Sequence, residues 1–264
     1  MKIKQVLSAL EQFAPLPLQE SWDNAGLQVG LTEAEVSGAL LCLDVNEAVL
    51  DEAIAKGCNL VVSHHPLLFR GLKQISGADY VQRCVIKAIK HDIVVVSMHT
   101  NMDNARGGVN FKIAEQLGLT DVTFLAPSSS ERAGEVTAGS GIVGLLPEAM
   151  PAADFIQLVK RQFGVACAMC NELLQRPIRK VAVCGGAGDF LTDQAVALGA
   201  DAFITGEMHY HQYFGYEQRI QLCVIGHYQS ELFTAEVFRD IIGRDCPGVR
   251  TVTAETNTNP IIYL

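Results

Sequence analysis

The chain has 264 residues, of which 49% are hydrophobic, and this size and composition exclude a disordered chain and allow a large buried core. A net charge of −9 and a pI near 5.2 disfavour a nucleic-acid or anionic-membrane surface, because such surfaces neutralise phosphates with Lys and Arg. No apolar run reaches the roughly 18 residues of a membrane helix. We therefore expect a cytoplasmic protein that binds neither membranes nor nucleic acid.

The first half of the chain alternates between helical and strand patterns. Apolar spacing predicts a helix from Ile3 to Phe13, and residues 21–30 (SWDNAGLQVG) are predicted to form a loop because they contain turn-forming residues. Residues 37–63 follow a strand, helix, strand order, with Asn46 as the helix N-cap. A helix at Tyr80–Lys90, a strand at Ile93–Ser97 and a helix at Val109–Leu117 are predicted next.

The second half repeats this order after a polar break. Residues 126–134 (APSSSERAG) are the predicted linker. A strand at 139–146, a helix that starts near Pro151, and a further strand, helix, strand segment at 179–211 follow. Since strands alternate with helices, the sequence predicts largely parallel sheets.

An internal repeat relates the two halves. Aligning residues 50–63 with residues 192–205 pairs four identical residues and places His65 opposite Glu207. In each half, a His-x-x-x-carboxylate motif follows the next strand, at His99 with Asp103 and at His227 with Glu231. The sequence therefore predicts one α/β unit used twice.

Candidate metal ligands follow several predicted strands. His64 and His65 come directly after a β-branched run, and Pro66 stops the strand there. Because ligands bind at the carboxyl ends of parallel strands, this pair and the two His-x-x-x-carboxylate motifs are expected to share a cleft. Imidazole and carboxylate together suit zinc, manganese or iron, and their number suggests two ions.

Each candidate also has a simpler interpretation. The two adjacent histidines could cap a turn, and Asp103 lies in a turn-rich segment. His227 and Glu231 could be a helix-entry pair. The recurrence of ligand-type residues at equivalent places in both halves favours the metal site. Cys167 and Cys170 form a CxxC pair, but no second pair completes a four-cysteine zinc site.

The combined motifs resemble a known family. SHHPLLF, HTNMD followed by GGVN, TGE, GHYQSE and the amino-terminal WDNAGLQVG are similar to signatures of the family named after NGG-interacting factor three, whose members are called GTP cyclohydrolase 1 type 2 homologs. The resemblance spans residues 22–231. It implies a dinuclear centre with His64, His65, Asp103, His227 and Glu231 as ligands.

The resemblance also implies a fold and an assembly. We expect an α/β protein with two pseudo-symmetric, interlinked α/β/α units and mixed, largely parallel sheets. The first unit is expected to comprise residues 1–125, completed by 232–264, and the second residues 126–231, with the metal site in the cleft between them. The family implies a ring-shaped homohexamer.

The leading functional hypothesis is hydrolysis of a nucleotide or another phosphorylated small molecule by metal-activated water. Arg70 and Lys73 are candidates for binding phosphate, although they could equally be solvated loop cations. Glu207 and His99 are the candidates for proton transfer, with His209 and His211 nearby in the sequence. The glycine-rich loop CGGAGDF could offer backbone donors to an anion. The alternative is a metal chaperone or regulatory adaptor without turnover.

Overall fold

The computed structural model describes residues 1–128, 131–132, 135–136, 138–262 and 264. The helices are α1 Ile3–Phe13, α2 Glu47–Ala55, α3 Tyr80–Lys90, α4 Thr100–Asn104, α5 Val109–Leu117, α6 Ala152–Phe163, α7 Thr192–Ala197, α8 His227–Glu231 and α9 Thr234–Asp245. The strands are β1 Gly26–Val29, β2 Ala39–Cys42, β3 Leu60–Ser63, β4 Val94–Ser97, β5 Thr120–Pro127, β6 Glu131–Arg132, β7 Glu135–Val136, β8 Gly139–Met150, β9 Met169–Cys170, β10 Ile178–Cys184, β11 Ala202–Thr205, β12 Gln221–Val224 and β13 Thr251–Thr253.

The chain folds into two compact units, Met1–Met102 with Thr234–Leu264, and Asp103–Phe233. It passes from the first unit to the second within α4. Residues 103–125, expected from the sequence in the first unit, belong to the second, because β5 pairs with β8 there. Of the predicted linker 126–134, the first two residues lie in β5, and residues 129–130 and 133–134 lie outside the described residues.

The first unit contains a five-stranded sheet in the order β1-β4-β3-β2-β13. Strands β13, β2, β3 and β4 run parallel, and β1 pairs antiparallel with β4 at the edge. The prediction of a loop at residues 21–30 is therefore wrong for Gly26–Val29, which form β1 and pair with β4. The register aligns Cys42, Ser63 and Ser97, so the central strands end at one level.

Helices cover both faces of this sheet. Helices α2 and α3 pack together over a core that includes Leu50, Val61 and Cys84. Helices α1 and α9 pack against each other, and α9 contacts β2 and β13. The predicted cap of α2 is confirmed, since the Asn46 side chain accepts a hydrogen bond from the Val49 amide at 2.9 Å.

The second unit contains a six-stranded sheet in the order β5-β8-β10-β11-β12-β9. Strands β10, β11 and β12 run parallel, while β5, β8 and β9 add antiparallel pairs. The three parallel strands and α7 repeat the order of β2, α2, β3 and β4 in the first unit. The predicted α/β fold with two units and mixed sheets is thus confirmed; the first sheet is largely parallel, whereas the second, among its described residues, has three antiparallel pairs and two parallel ones. None of the helices in the described ranges has the length and apolar character needed to cross a membrane.

A partly buried carboxylate attaches the C-terminal segment to the rest of the first unit. Glu52 on α2 accepts hydrogen bonds from the backbone amides of Glu255 and Thr256, at 2.8 and 2.9 Å, and forms an ion pair with Lys56. Burial alone would raise the pKa of Glu52, but the bonds from Lys56 and Thr256 prevail and lower it to about 2. The charged carboxylate therefore stabilises the docked segment.

We expect Glu52→Gln to lower the free energy of unfolding by about 1–2 kcal/mol at pH 7, because the amide presents N–H groups to backbone donors. The folded-state pKa lies below the ordinary value, so wild type should hold this advantage above about pH 4.5 and lose it as the pH falls towards 2. Urea unfolding at several pH values measures it. Asp51→Asn, at an exposed ion pair with Lys87, is the control and should change stability by less than about 0.5 kcal/mol.

Candidate metal centre

Three imidazoles meet where β3 and β4 of the first unit end. His64 and His65 follow β3, and His99 follows β4 by two residues. Their ring centroids lie 4.9 to 5.3 Å apart, and one donor atom from each residue lies within 4.8 Å of the other two. His64 and His99 are buried. We call His64, His65 and His99 the imidazole cluster.

Each imidazole of the cluster is held through its Nδ1 atom. His64 Nδ1 lies 2.9 Å from the Met98 carbonyl oxygen. His65 Nδ1 lies 2.7 Å from Asp44 Oδ1, and His99 Nδ1 lies 2.8 Å from Asp23 Oδ1. A carbonyl or carboxylate oxygen can only accept, so Nδ1 carries the proton and the ring lone pair lies on Nε2. Metal-binding histidines are held in this way by a carboxylate or backbone carbonyl.

Sequence reasoning missed both of these aspartates. Asp23 also accepts hydrogen bonds from the backbone and hydroxyl of Thr100. Burial alone would raise the pKa of Asp23, but the bonds from His99 and Thr100 lower it to about 2. The pKa of Asp44 is likewise lowered, since bonds from His65 and Thr258 outweigh its burial. Asp44 was detectable as a carboxylate just after β2, at the ligand-binding end of the sheet.

We expect Asp44→Asn to weaken metal affinity by about tenfold, because a neutral amide oxygen holds the Nδ1–H of His65 less strongly than a carboxylate does. Affinity is measured by competition with a chromophoric chelator. Asp51→Asn, also in the first unit, should leave the affinity within about twofold. Equal affinities for the Asp44 variant and wild type would remove Asp44 from the site.

A second group of donors lies in the second unit. His227 and Glu231 occupy successive turns of α8, and His227 Nε2 lies 3.1 Å from Glu231 Oε2. Glu207, just after β11, lies 3.0 Å from His227 Nδ1. Glu231 is only 3% exposed. His227 is therefore oriented by Glu207 as the first-unit histidines are oriented by Asp23 and Asp44. We call Glu207, His227 and Glu231 the α8 donor group.

The glycine-rich loop after β10 packs against this group. Gly186 has a φ of +62°, and a Cβ at this position would overlap Glu231 Oε1. The Gly186 amide donates to Ser230 Oγ at 2.9 Å, and the Gly185 amide donates to Asn110 Oδ1 at 3.0 Å. Both amides therefore donate to side chains of their own unit. The expectation that this loop offers them to an anion is wrong for these two groups.

The remaining predicted residues have varied surroundings. Asp103 lies in α4 as the first residue of the second unit, where its carbonyl accepts a bond from Asn110. Arg70 and Lys73 are exposed in the segment after the adjacent histidines. His209 and His211 are also exposed, His209 just before the 3-10 helix Tyr210–Tyr213 and His211 within it. In the described part of the chain, neither of these histidines and no cysteine joins a group of metal donors. Cys167 is exposed, while Cys170 pairs across β9 and β12 with Cys223.

The sequence and fold match known proteins along nearly the whole chain. A family model described as Duf34/NIF3 (NGG1p interacting factor 3) matches residues 1–260. The chain is 37% identical over 234 residues to a Clostridium perfringens protein named GTP cyclohydrolase 1 type 2 homolog, covering 88% of this chain and 87% of that protein. A Lactococcus lactis protein of the same name is 32% identical and is matched over 98% of both chains.

Solved structures agree with these matches. The structure of Staphylococcus aureus protein SA1388 superposes with a TM-score of 0.91 at 27% identity, over 100% of this chain and 99% of that one. A Bacillus cereus protein related to NIF3 gives a TM-score of 0.90 at 25% identity, over the same shares of both chains. The family resemblance carried by the sequence motifs is confirmed, and the chain belongs to the NIF3 family.

Proposed function

We propose that this protein is a metal-dependent hydrolase that acts on a nucleotide or another phosphorylated small molecule. The observation that carries the proposal is the imidazole cluster, in which a carboxylate or carbonyl holds the Nδ1 of every ring. Holding three neighbouring imidazoles in this way leaves each Nε2 lone pair available, in His64 and His65 to bind a metal ion and in His99 to take a proton.

The proposed ligands are His64 and His65 from the first unit, with Asp103, His227 and Glu231 from the second. This donor set fits two divalent ions of zinc, manganese or iron, because it combines imidazole with carboxylate and lacks thiolate. A buried carboxylate such as Glu231 is costly unless a cation or hydrogen bonds compensate it.

When bound, such ions lower the pKa of water and polarise the attacked centre. His99 is the candidate for proton transfer, because Asp23 holds its Nδ1 and would stabilise the imidazolium formed when Nε2 takes a proton. Glu207 holds the Nδ1 of His227, which is a proposed metal ligand. The proton transfer proposed for Glu207 would therefore take place next to that ligand. Arg70 and Lys73 are proposed to bind phosphate.

The names of the relatives support the substrate class. Relatives that share up to 37% identity are named GTP cyclohydrolase 1 type 2 homologs, which points to a purine nucleotide. Hydrolytic attack at the imidazole-ring carbon of the purine would open that ring. We also infer a ring-shaped homohexamer from the family membership, and light scattering after size-exclusion chromatography should give about six times the chain mass of 28.6 kDa.

The test is a turnover screen of protein loaded with zinc, manganese or iron, using GTP and a set of phosphate esters. We expect at least one combination to turn over, and Asp103→Asn to lower its rate by at least about 100-fold. Equal rates for wild type and Asp103→Asn would refute the hydrolase. Tight, reversible metal binding with no turnover on any substrate would instead favour the metal chaperone or adaptor.

A further inference from the structure

Two exposed aromatic rings stand beside the imidazole cluster. Trp22 and Phe69 stack on each other with centroids 5.8 Å apart and an interplanar angle of 29°. Their exposed fractions are 58% and 49%. The centroids of Trp22 and Phe69 lie 6.0 and 5.9 Å from the centroid of the His99 ring, with interplanar angles of 72° and 69°. We call Trp22 and Phe69 the aromatic pair.

Hydrogen bonds between the two loops fix the aromatic pair in place. Asn24 Nδ2 donates to the Leu68 carbonyl at 2.7 Å, and the Leu68 amide donates to Gln28 Oε1 at 3.1 Å. Gln28 Nε2 in turn donates to the Asn24 carbonyl at 2.6 Å. These bonds join the segment that carries Trp22 to the segment that carries Phe69. The rings are therefore ordered before a ligand arrives, which reduces the entropic cost of binding.

The placement of the pair is unusual for residues of this type. Phe and Trp contribute most when they are buried, yet here two such rings stay half exposed side by side. An apolar surface beside a few fixed polar donors is the common composition of a small-molecule site. Among such ligands, a planar heteroaromatic ring gains most from a stacked aromatic surface, because it offers a π-face of its own.

We propose that the aromatic pair stacks against the base of a nucleotide and so makes the site select substrates that contain a heteroaromatic ring. This inference rests on the proposed function, since it names the feature by which the same site recognises its substrate. Arg70 follows Phe69 directly in the sequence and would add a cation for the phosphate of that nucleotide.

The chain contains one tryptophan, so fluorescence excited at wavelengths that tyrosine does not absorb reports Trp22 alone. Zinc-loaded wild-type protein is titrated with GMP and, separately, with ribose 5-phosphate, which carries the phosphate without the base. We expect GMP to quench the fluorescence, corrected for its absorbance with N-acetyltryptophanamide, and ribose 5-phosphate to have no effect. Binding of neither compound, or the same response to both, would overturn the inference.

Variants separate stacking from the rest of the site. By calorimetry, Trp22→Ala and Phe69→Ala should weaken GMP binding by about 5- to 150-fold, while Trp22→Phe should restore most of it. Ile89→Ala, an exposed apolar residue of α3 in the same unit, is the matched control and should stay within about twofold. Zinc content should be unchanged in every variant.

The outcomes distinguish this inference from the proposed function. Loss of GMP affinity in Trp22→Ala without any turnover in wild type would support the base site and reject the hydrolase. Turnover of a nucleotide that Trp22→Ala and Phe69→Ala leave unchanged would reject the base site and keep the hydrolase. A Trp22→Ala variant that alters the assembly mass but not GMP affinity would make the aromatic pair a subunit contact and overturn the inference.

Discussion

Replacing Gly186 with alanine is expected to weaken metal binding by at least about 100-fold, although residue 186 donates no ligand atom. A Cβ at this position would overlap Glu231 Oε1 and approach His227 Cε1 at 3.4 Å. The backbone cannot retreat easily, because the Gly186 amide binds Ser230 and its carbonyl accepts bonds from the Gly206 and Glu207 amides. Glu231 would therefore have to move away from its position beside His227.

Gly164→Ala is the matched control for this substitution. Gly164 has a φ of +63°, almost the same as Gly186, but a Cβ there would meet nothing within 4 Å. Both variants should lose about 1–2 kcal/mol of unfolding free energy from an alanine in the left-handed region. Only Gly186→Ala should lose metal affinity, measured by chelator competition. A parallel loss in Gly164→Ala would show that general strain, not displacement of Glu231, explains the effect.

The second large effect is expected at Glu231 itself. Glu231→Gln removes the negative charge of a nearly fully buried carboxylate, and we expect a loss of metal affinity greater than 100-fold together with the loss of one ion per chain. Glu207→Gln should cost at most about tenfold, because the Gln carbonyl can still accept the bond from His227 Nδ1.

The comparison is made by metal analysis and chelator competition on both variants, with circular dichroism to verify the fold. Each variant removes one charge and keeps the shape of the side chain, so the pair is closely matched. If the two substitutions lower metal affinity equally, Glu231 is not a ligand of the centre.

Local sequence patterns predicted much of the fold. Helices α1, α3 and α5 begin and end at the predicted residues, because their apolar spacing and their end residues are local signals. Strand β1 was not predictable in this way. It is four residues long, and its position at the sheet edge depends on pairing with β4, which lies far along the chain.

The sequence singles out the candidate donor residues of the site more readily than the aspartates that orient them. His64 and His65 are candidates because ligand-type residues recur at equivalent strand ends in both halves of the sequence. Asp23 could not be identified, since it meets His99 only through the fold, across 76 residues of sequence. Asp44 could be recognised as a carboxylate just after β2, but its bond to His65, 21 residues away, depends on the fold. The sequence suggests the loop CGGAGDF as a source of backbone donors for an anion, whereas the fold brings Glu231 against its Gly186. Which side chains approach a glycine is a tertiary property that the sequence does not state.

The number of metal ions bound per chain tests whether the protein holds a dinuclear centre. The purified protein is stripped with a chelator, reconstituted separately with zinc, manganese and iron, and weighed intact by native mass spectrometry alongside elemental analysis. We expect two ions per chain with at least one of these metals. The number should fall to one or none in Glu231→Gln and Gly186→Ala and should stay at two in Gly164→Ala. A wild-type chain that retains no ion of any of the three metals would contradict this expectation.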